Sequence, residues 1–435
     1  MPPPDSVARP DPVAPPPPTA LDAELVATGA ELLNGGSVNT HAQRLGGRLE
    51  ELGFRLRRET TVGDEEADIA RAVREALART RLVFVSGGLG PTCDDRTREA
   101  VAGMLGRRLR MDARALELLR RHGERTGREL TESRQRQALV VEGAAVLPNR
   151  AGAAPGQRIE LDGQTLFLLP GPPPEFAAIL DDEIVPWLRR RFPHARPPPQ
   201  RLFQLCGLPE ADAVERLAAA GFSPGPLELA YAASPGRLEI RLVGKPDEAA
   251  LVAGKAEELR RILAPFIYTE GRKDLAAVVG QRLVESGATL AVAESCTGGG
   301  LGRRVTSIPG SSAWFRGGLI AYANDIKIGL LGVPPELLAH EGAVSGPVAE
   351  GMARGARERC GATWGLAITG IAGPGGGTPE KPVGLAFLAC ADAAGVRVER
   401  HRFPGDREQV REWAIAYALD LLRRQMSLPR EEKPA

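Results

Sequence analysis

The stretch Ala291-Val-Ala-Glu-Ser-Cys-Thr-Gly-Gly-Gly300 joins a short apolar run to a glycine-rich turn. Residues 289–293 are typical of a buried strand, and residues 301–305 have the composition of a helix. Ser295 would then lie at the strand end and face the first helical turn, where free N–H groups and the helix dipole favour negative charge. This position suits a nucleophile beside an oxyanion site, or a phosphate pocket. It also suits a tight turn in which Ser295 only caps the helix.

The alternation of strand and helix continues on both sides of this stretch. Before it, residues 24–28, 54–62 and 82–86 are predicted strands, and apolar residues spaced by four predict a helix between the last two. This order favours a parallel sheet covered by helices on both faces. The pair Asp162-Gly163, between two short apolar runs, is typical of a two-residue hairpin turn.

The predicted fold class is α/β, with two three-layer α/β domains of mainly parallel sheets joined by a small α+β domain. The expected segments are a disordered Pro-rich tail at 1–20, an α/β domain at 21–192, the α+β domain at 200–271 and a second α/β domain at 272–426. In the last two domains the predicted strands are 227–232, 237–243, 289–293, 317–321, 364–369 and 383–389, and the predicted helices are 214–220, 249–263 and 301–305.

Composition excludes several classes of partner and site. The formal net charge of +1 gives no global electrostatic case for a nucleic-acid or anionic-membrane partner, so neither is predicted. The five cysteines are scattered and form no CxxC pair, which argues against a disulfide framework or a zinc site and favours the reducing cytoplasm. No apolar run approaches the length of a membrane span.

Two further segments follow predicted strands in the last domain. One holds Tyr322 and Lys327, and the other is the Gly/Pro-rich loop 370–384. The loop fails both the P-loop and the dinucleotide patterns, but its backbone N–H groups could hold an anion; the alternative is a flexible surface loop. A Ser, a Lys, a Tyr and an anion loop are the parts of an amidohydrolase.

A serine hydroxyl needs a base that takes its proton before it becomes a good nucleophile. A lysine does this when burial or a neighbouring cation lowers its pKa. None of the five histidines lies in a glycine-rich motif at a strand end, so a Ser295–Lys327 pair is the more economical hypothesis. The alternative for Lys327 is a solvated lysine on a helix.

The first domain has its own glycine-rich motif, Ser86-Gly-Gly-Leu-Gly-Pro-Thr-Cys-Asp-Asp-Arg-Thr97, after a predicted strand. Glycines let backbone amides approach a phosphate, and adjacent carboxylates can bind the divalent cation that accompanies a diphosphate. The alternative for Asp94 and Asp95 is that they cap the helix that begins near Arg96.

The order of these motifs resembles the competence/damage-inducible protein CinA family from about residue 23 to residue 424. The C-terminal domain resembles the nicotinamide mononucleotide deamidases, which implies hydrolysis of that nucleotide to nicotinate mononucleotide and ammonia without a cofactor. The resemblance implies Ser295 as nucleophile, Lys327 as base, and Tyr322 and Thr369 as residues that orient or polarise the substrate. The implied substrate-binding residues are Thr297, Gly298, Gly299, Ser312, Ser345, Gly370, Gly373, Gly375, Gly376 and Arg407.

The first domain resembles the molybdopterin-binding fold, which in CinA proteins implies metal-dependent hydrolysis of ADP-ribose. The implied diphosphate site is Gly87, Gly88, Gly90, Thr92, Asp95, Thr97 and Glu175, and the implied ligands of a divalent metal are Asp64, Asp94 and Asp95. The chain departs from the family at Ala30 and Ala153, where Thr is usual, and at Cys93, where a polar side chain is more common. The alternative is a silent nucleotide-binding, pterin-binding or dimerisation module. The family also implies a homodimer.

Overall fold

The computed structural model describes residues 21–426, which form two compact units divided between Pro197 and Pro198. The disordered tail predicted at 1–20 lies outside the described residues. Within the described range, every helix is too short or too polar to cross a bilayer.

The first unit alternates strands and helices from its start. Its strands are β1 (Asp22–Thr28), β2 (Arg55–Val62), β3 (Leu82–Ser86), β4 (Leu109–Met111), β5 (Leu139–Val141), β6 (Ala145–Leu147), β7 (Gly156–Leu161) and β8 (Gln164–Leu169). Its helices are α1 (Ala30–Leu33), α2 (His41–Glu51), α3 (Glu66–Arg79), α4 (Thr97–Leu105), α5 (Ala113–Thr126), α6 (Glu132–Gln135), α7 (Pro173–Ile179) and α8 (Val185–Arg191).

Six of these strands form one sheet in the order β2-β1-β3-β8-β7-β6. The first four are parallel, β7 pairs antiparallel with β8, and β6 pairs antiparallel with β7. Leu45 and Phe176 pack on one face, and Val73 and Val101 pack on the other, so helices cover both faces. The predicted hairpin turn at Asp162-Gly163 is confirmed, because β7 and β8 pair up to the residues that flank it.

The second unit carries two sheets. Its strands are β9 (Gln200–Cys206), β10 (Glu228–Ser234), β11 (Arg237–Val243), β12 (Ile267–Glu270), β13 (Leu290–Glu294), β14 (Phe315–Ile320), β15 (Trp364–Gly370), β16 (Leu385–Ala391) and β17 (Val396–Arg402). Its helices are α9 (Glu210–Ala219), α10 (Ala249–Leu263), α11 (Leu275–Glu285), α12 (Gly300–Thr306), α13 (Asn324–Leu331), α14 (Pro335–Glu341), α15 (Gly346–Arg359) and α16 (Arg407–Gln425).

The smaller sheet is antiparallel, in the order β10-β11-β9-β12. The larger has the order β14-β13-β15-β16-β17. Its first three strands are parallel, β16 pairs antiparallel with β15, and β17 pairs antiparallel with β16. Met352 of α15 packs on one face of the larger sheet, and Val279 of α11 and Leu419 of α16 pack on the other. The α/β fold class is confirmed. The sequence pattern did not predict β9, β12 and β17 in this unit, nor the three-residue strands β4, β5 and β6 in the first unit. The boundary between the α+β and last domains stays a prediction.

Candidate active site

Ser295 lies directly after β13, at the carboxyl end of the parallel strands of the larger sheet. Its N–H donates to the carbonyl of Ile368 on the neighbouring β15, at 3.0 Å, which fixes the start of the turn. The residue is 8% exposed. Open α/β sheets bind ligands at the carboxyl ends of their strands, so the serine lies where the fold allows a site.

Lys327 of α13 is almost fully buried and its amine contacts this serine. The Nζ atom is 3.2 Å from Ser295 Oγ, and 2.8 Å from the carbonyl oxygens of both Ala321 and Tyr322. The interpretation of Lys327 as a solvated surface lysine is therefore wrong. The structure brings together the two side chains that the sequence paired.

The surroundings of Lys327 favour its neutral form. Burial removes water from the ammonium group and lowers the pKa of Lys327. A neutral amine has two N–H donors and one lone pair. Because two carbonyl oxygens can accept those two protons, the lone pair is left for the hydroxyl proton of Ser295. The geometry is thus that of a base beside a nucleophile.

The glycine turn after Ser295 differs from the expectation. Glu294 is 1% exposed, and its carboxylate accepts hydrogen bonds from the N–H groups of Gly299 at 3.1 Å, Leu301 at 2.9 Å and Gly302 at 2.8 Å. The prediction that the N–H groups at the start of α12 are free for an anion is wrong for these three, since a negative side chain of the protein already caps them.

The predicted substrate-binding glycines of this turn have structural roles. Gly298 donates its N–H to the Ser295 carbonyl at 3.1 Å, and the N–H of Gly299 belongs to Glu294. Their φ angles of 55° and 94° are in the left-handed region that favours glycine. Thr297 is fully buried, and within residues 21–426 its hydroxyl has no hydrogen-bond partner.

Arg407, at the start of α16, connects two other predicted parts of the site. Its Nη1 donates to the Gly373 carbonyl at 2.8 Å, and its Nη2 lies 3.2 Å from the Tyr322 hydroxyl. Arg407 and Tyr322 are both exposed. Gly370 ends β15, and Gly375 and Gly376 follow in the same loop. A cationic group thus stands beside the glycine-rich loop, where an anion could bind.

The structure shows where two predicted substrate contacts, Thr369 and Ser345, place their hydroxyl protons, and their contact with substrate stays a prediction. Thr369 is fully buried and its hydroxyl donates to the Ala343 carbonyl at 2.8 Å. Ser345 is 5% exposed and its hydroxyl donates to the Gly342 carbonyl at 3.0 Å. Both hydroxyl protons are held by backbone carbonyls of the segment before α15, so these residues position that segment.

Ser312 differs from the expectation, because it lies at the opposite end of the sheet from Ser295. It belongs to a short turn before β14, whose first residue, Phe315, pairs with Leu290 at the amino end of β13. Ser295 follows the carboxyl end of the same strand. A strand advances by about 3.3 Å per residue, so the length of β13 separates Ser312 from Ser295 by roughly 16 Å.

The first unit has a separate cavity of about 530 Å³ beside its glycine loop. Of the predicted residues, those that line it are Asp64, Gly87, Gly88, Gly90, Asp94, Asp95 and Glu175. Thr97 is a correction, since it is fully buried and donates its hydroxyl to the Gly87 carbonyl at 2.8 Å. Thr92 donates its N–H to Asp95, at 2.8 Å.

The predicted metal ligands do not form a metal site. Asp95 accepts hydrogen bonds from the N–H groups of Gly90 at 2.7 Å and Thr92, so its carboxylate braces its own loop. Asp64 accepts from the N–H of Ala30 at 3.0 Å. Across residues 21–426, no three His, Cys, Asp or Glu side chains are grouped so that they could hold a metal ion. Asp64, Asp94 and Asp95 all line the cavity, but in this arrangement they do not form a group that could hold a metal ion.

Sequence reasoning missed His41, which lines this cavity, and Arg98, which lies behind the glycine loop. Arg98 is 1% exposed and donates to the carbonyls of Leu89 at 2.7 Å and Gly90 at 2.8 Å, so it holds the glycine loop from inside the protein. His41 stacks on Phe176 with the ring centres 4.2 Å apart, and burial lowers the pKa of His41. Burial has the opposite effect on the acid nearby and raises the pKa of Glu175.

Comparisons with known proteins identify the family of each part of the chain. Residues 272–426 match the family described as "CinA C-terminal domain", and residues 24–190 match the "Probable molybdopterin binding domain" family. A CinA-like protein of Gemmatimonas aurantiaca is 44% identical over 93% of this chain and 96% of its own length. A CinA-like protein of Citrifermentans bemidjiense is 41% identical over 94% and 98%. The crystal structure of the competence/damage inducible protein CihA from Agrobacterium tumefaciens is 41% identical, covers 34% of this chain and 92% of its own, and has a TM-score of 0.34.

The substitution Glu294→Gln tests the cap on α12. An amide offers one acceptor oxygen where the carboxylate offers two, and it turns an NH₂ group towards backbone N–H donors. We expect the free energy of unfolding to fall by about 1–3 kcal/mol, measured by urea denaturation. The exposed Glu358→Gln is the matched control and should leave stability within about 0.5 kcal/mol of the parent. Equal stability of the two variants would contradict the cap.

Proposed function

This chain belongs to the CinA family, and from that premise we propose that it is an amidohydrolase that converts nicotinamide mononucleotide to nicotinate mononucleotide and ammonia. The observation that carries the proposal is the 3.2 Å distance between Lys327 Nζ and Ser295 Oγ, inside the protein and at the carboxyl end of a parallel sheet. Buried lysines are rare because the charged form loses its hydration, and a lysine kept beside a serine hydroxyl suits a general base.

The first half of the reaction acylates the serine. Lys327 takes the hydroxyl proton of Ser295, whose oxygen forms a bond to the carboxamide carbon, and the carbonyl electron pair moves onto the carbonyl oxygen. When that pair returns, the C–N bond breaks and the proton on Lys327 passes to the leaving nitrogen, which departs as ammonia.

The second half regenerates the serine. A water molecule gives a proton to Lys327 and attacks the acyl ester, and the proton then returns to the Ser295 oxygen as the C–O bond breaks. The net reaction consumes one water and yields a carboxylate and ammonia. No metal or cofactor enters either half.

Arg407 and the glycine-rich loop are proposed to hold the phosphate of the nucleotide. A guanidinium has five N–H donors in a fixed plane, so contacts with the Gly373 carbonyl and the Tyr322 hydroxyl leave others for a phosphate. Because Arg407 is exposed, its charge is open to an incoming anion. The exposed ring of Tyr322 would border the same nucleotide.

Incubation with nicotinamide mononucleotide should release ammonia and nicotinate mononucleotide in equal amounts, followed by a coupled ammonia assay and by chromatography. Ser295→Ala removes the nucleophile and should lower turnover by at least about 10³-fold. The exposed Ser307→Ala is the matched control and should keep parental turnover. Absence of ammonia from the parent, or full turnover by Ser295→Ala, would reject the deamidase.

The proposed base gives a defined pH dependence. Lys327 acts only when neutral, so the turnover number should rise with pH and reach a plateau at a pKa below the ordinary lysine value of about 10.4. The unfolded chain binds more protons than the folded one between those two pKa values, so stability should also rise with pH across that window. Lys327→Met should abolish turnover and remove this slope from the stability profile. A turnover that falls with rising pH over this range would contradict the assignment.

A second candidate function is hydrolysis of ADP-ribose to AMP and ribose 5-phosphate in the first unit. What favours it is the cavity of about 530 Å³ beside the Gly87–Gly90 loop, which Asp95 and Arg98 hold in shape. Glycine backbone amides can approach a diphosphate closely. The carboxylates that line the cavity do not form a ligand set for a metal, so no step is assigned to one.

Asp95→Asn separates hydrolysis from simple binding. An asparagine cannot accept from both the Gly90 and Thr92 donors with two oxygens, so the glycine loop should loosen and the affinity for ADP-ribose should fall about tenfold, by calorimetry. Release of AMP by the parent with Mg²⁺ present, and its loss in the variant, would support a hydrolase. Unchanged binding in Asp95→Asn would contradict the site, and binding without AMP release would leave a binding module.

A further inference from the structure

Arg411 contacts the turn that carries the nucleophile, although its position on α16 is remote in sequence. Its Nη2 donates to the carbonyl of Thr297 at 2.8 Å, and its Nη1 is held by Glu408 at 2.6 Å. Gly298 and Gly300 flank this guanidinium, since a Cβ at either position would lie at ordinary contact distance, about 4 Å, from Nη2. The contact therefore fixes the turn two residues after Ser295.

Two adjacent backbone N–H groups of the turn make no hydrogen bond to a backbone carbonyl of the described residues. The N–H groups of Gly298 and Gly300 donate to the carbonyls of Ser295 and Thr297, at 3.1 Å and 3.0 Å. Glu294 takes the next donors along the chain. Within the described range 21–426, the N–H groups of Cys296 and Thr297 donate to no backbone carbonyl. These two groups directly follow the nucleophile.

The Thr297 side chain is a second, independent sign that something binds here. It is fully buried, yet its hydroxyl has no partner among residues 21–426. Buried polar groups almost always have a partner, so this hydroxyl is free to contact a molecule bound beside the turn.

We propose that the N–H groups of Cys296 and Thr297 form the oxyanion hole, and that Arg411 is the positioning residue that holds them in place. The inference rests on the proposed amidase reaction. As the Ser295 oxygen bonds to the carboxamide carbon, the carbonyl electron pair moves onto the carbonyl oxygen, and the two N–H groups donate to that oxygen. The N–H of the residue after the nucleophile has this role in other serine hydrolases.

The test uses the full-length protein with Arg411→Ala and Arg411→Lys. Loss of one oxyanion donor typically lowers the turnover number by about 10²–10³-fold, so misplacing the turn in Arg411→Ala should lower it by at least about tenfold. KM should change less than threefold, because the phosphate contacts remain. Arg411→Lys keeps one donor and should recover part of the loss. The control is Arg303→Ala on α12, which should keep parental kinetics because the Arg303 side chain is 76% exposed.

A second readout separates positioning from folding. The 3-formylpyridine analogue of the nucleotide adds to the serine and places an oxyanion in the hole, whereas nicotinate mononucleotide does not. Arg411→Ala should lower the affinity for the aldehyde at least tenfold and the affinity for nicotinate mononucleotide less than twofold. Its melting temperature should not change. Parental aldehyde affinity, or a raised KM with parental turnover, would overturn the inference.

Failure of the proposed reaction is distinguishable from failure of this inference. Acylation of Ser295 by p-nitrophenyl acetate needs the same hole but no nucleotide. If the parent is acylated without releasing ammonia from nicotinamide mononucleotide, only the amidase proposal fails, and slower acylation of Arg411→Ala by at least about tenfold would still support the hole. Equal acylation rates would overturn it, as would a parent that reacts with neither compound.

Discussion

The C-terminal site depends on burying a lysine amine beside a serine hydroxyl, which lowers the pKa of Lys327. An ammonium ion buried away from water is costly unless it is paired, and no carboxylate accepts from Lys327 in the described structure. Two backbone carbonyls replace water for two protons of the neutral amine, and α13 brings the amine to the strand end that carries Ser295. Burial thus supplies both the lowered pKa and the direction of the lone pair.

The buried carboxylate of Glu294, one residue before Ser295, is stabilised by hydrogen bonds from the backbone. Glu294 is as buried as Lys327, but it stays paired because three backbone N–H groups donate to it. This arrangement removes the start of α12 from consideration as an anion site and leaves the two amides of the turn itself. Charged side chains also hold backbone groups in the first unit, where Asp95 and Arg98 form hydrogen bonds with the glycine loop.

Local pattern was enough to predict most strands and the Ser295–Lys327 pair, because each lies in a contiguous motif at a strand end. β17 escaped prediction because it is an edge strand rich in charged residues, and β12 because it has only four residues. Ser312 was predicted from its resemblance to the family's motif order, but the topology places its turn at the end of β13 opposite Ser295. The roles of Thr369 and Glu294 depend on which backbone groups fold against them, and no spacing in the sequence encodes that.

Arg407 and Arg411 of α16 contact parts of the site that precede them by 34 and 114 positions, Gly373 and Thr297. A nascent chain or a proteolytic fragment that stops before residue 407 carries the serine and its base but neither guanidinium. Such a fragment contains Ser295 and Lys327 but lacks the hydrogen bonds that hold the glycine-rich loop and the turn after Ser295. The arrangement around the nucleophile is therefore complete only when the last helix has packed onto the sheet.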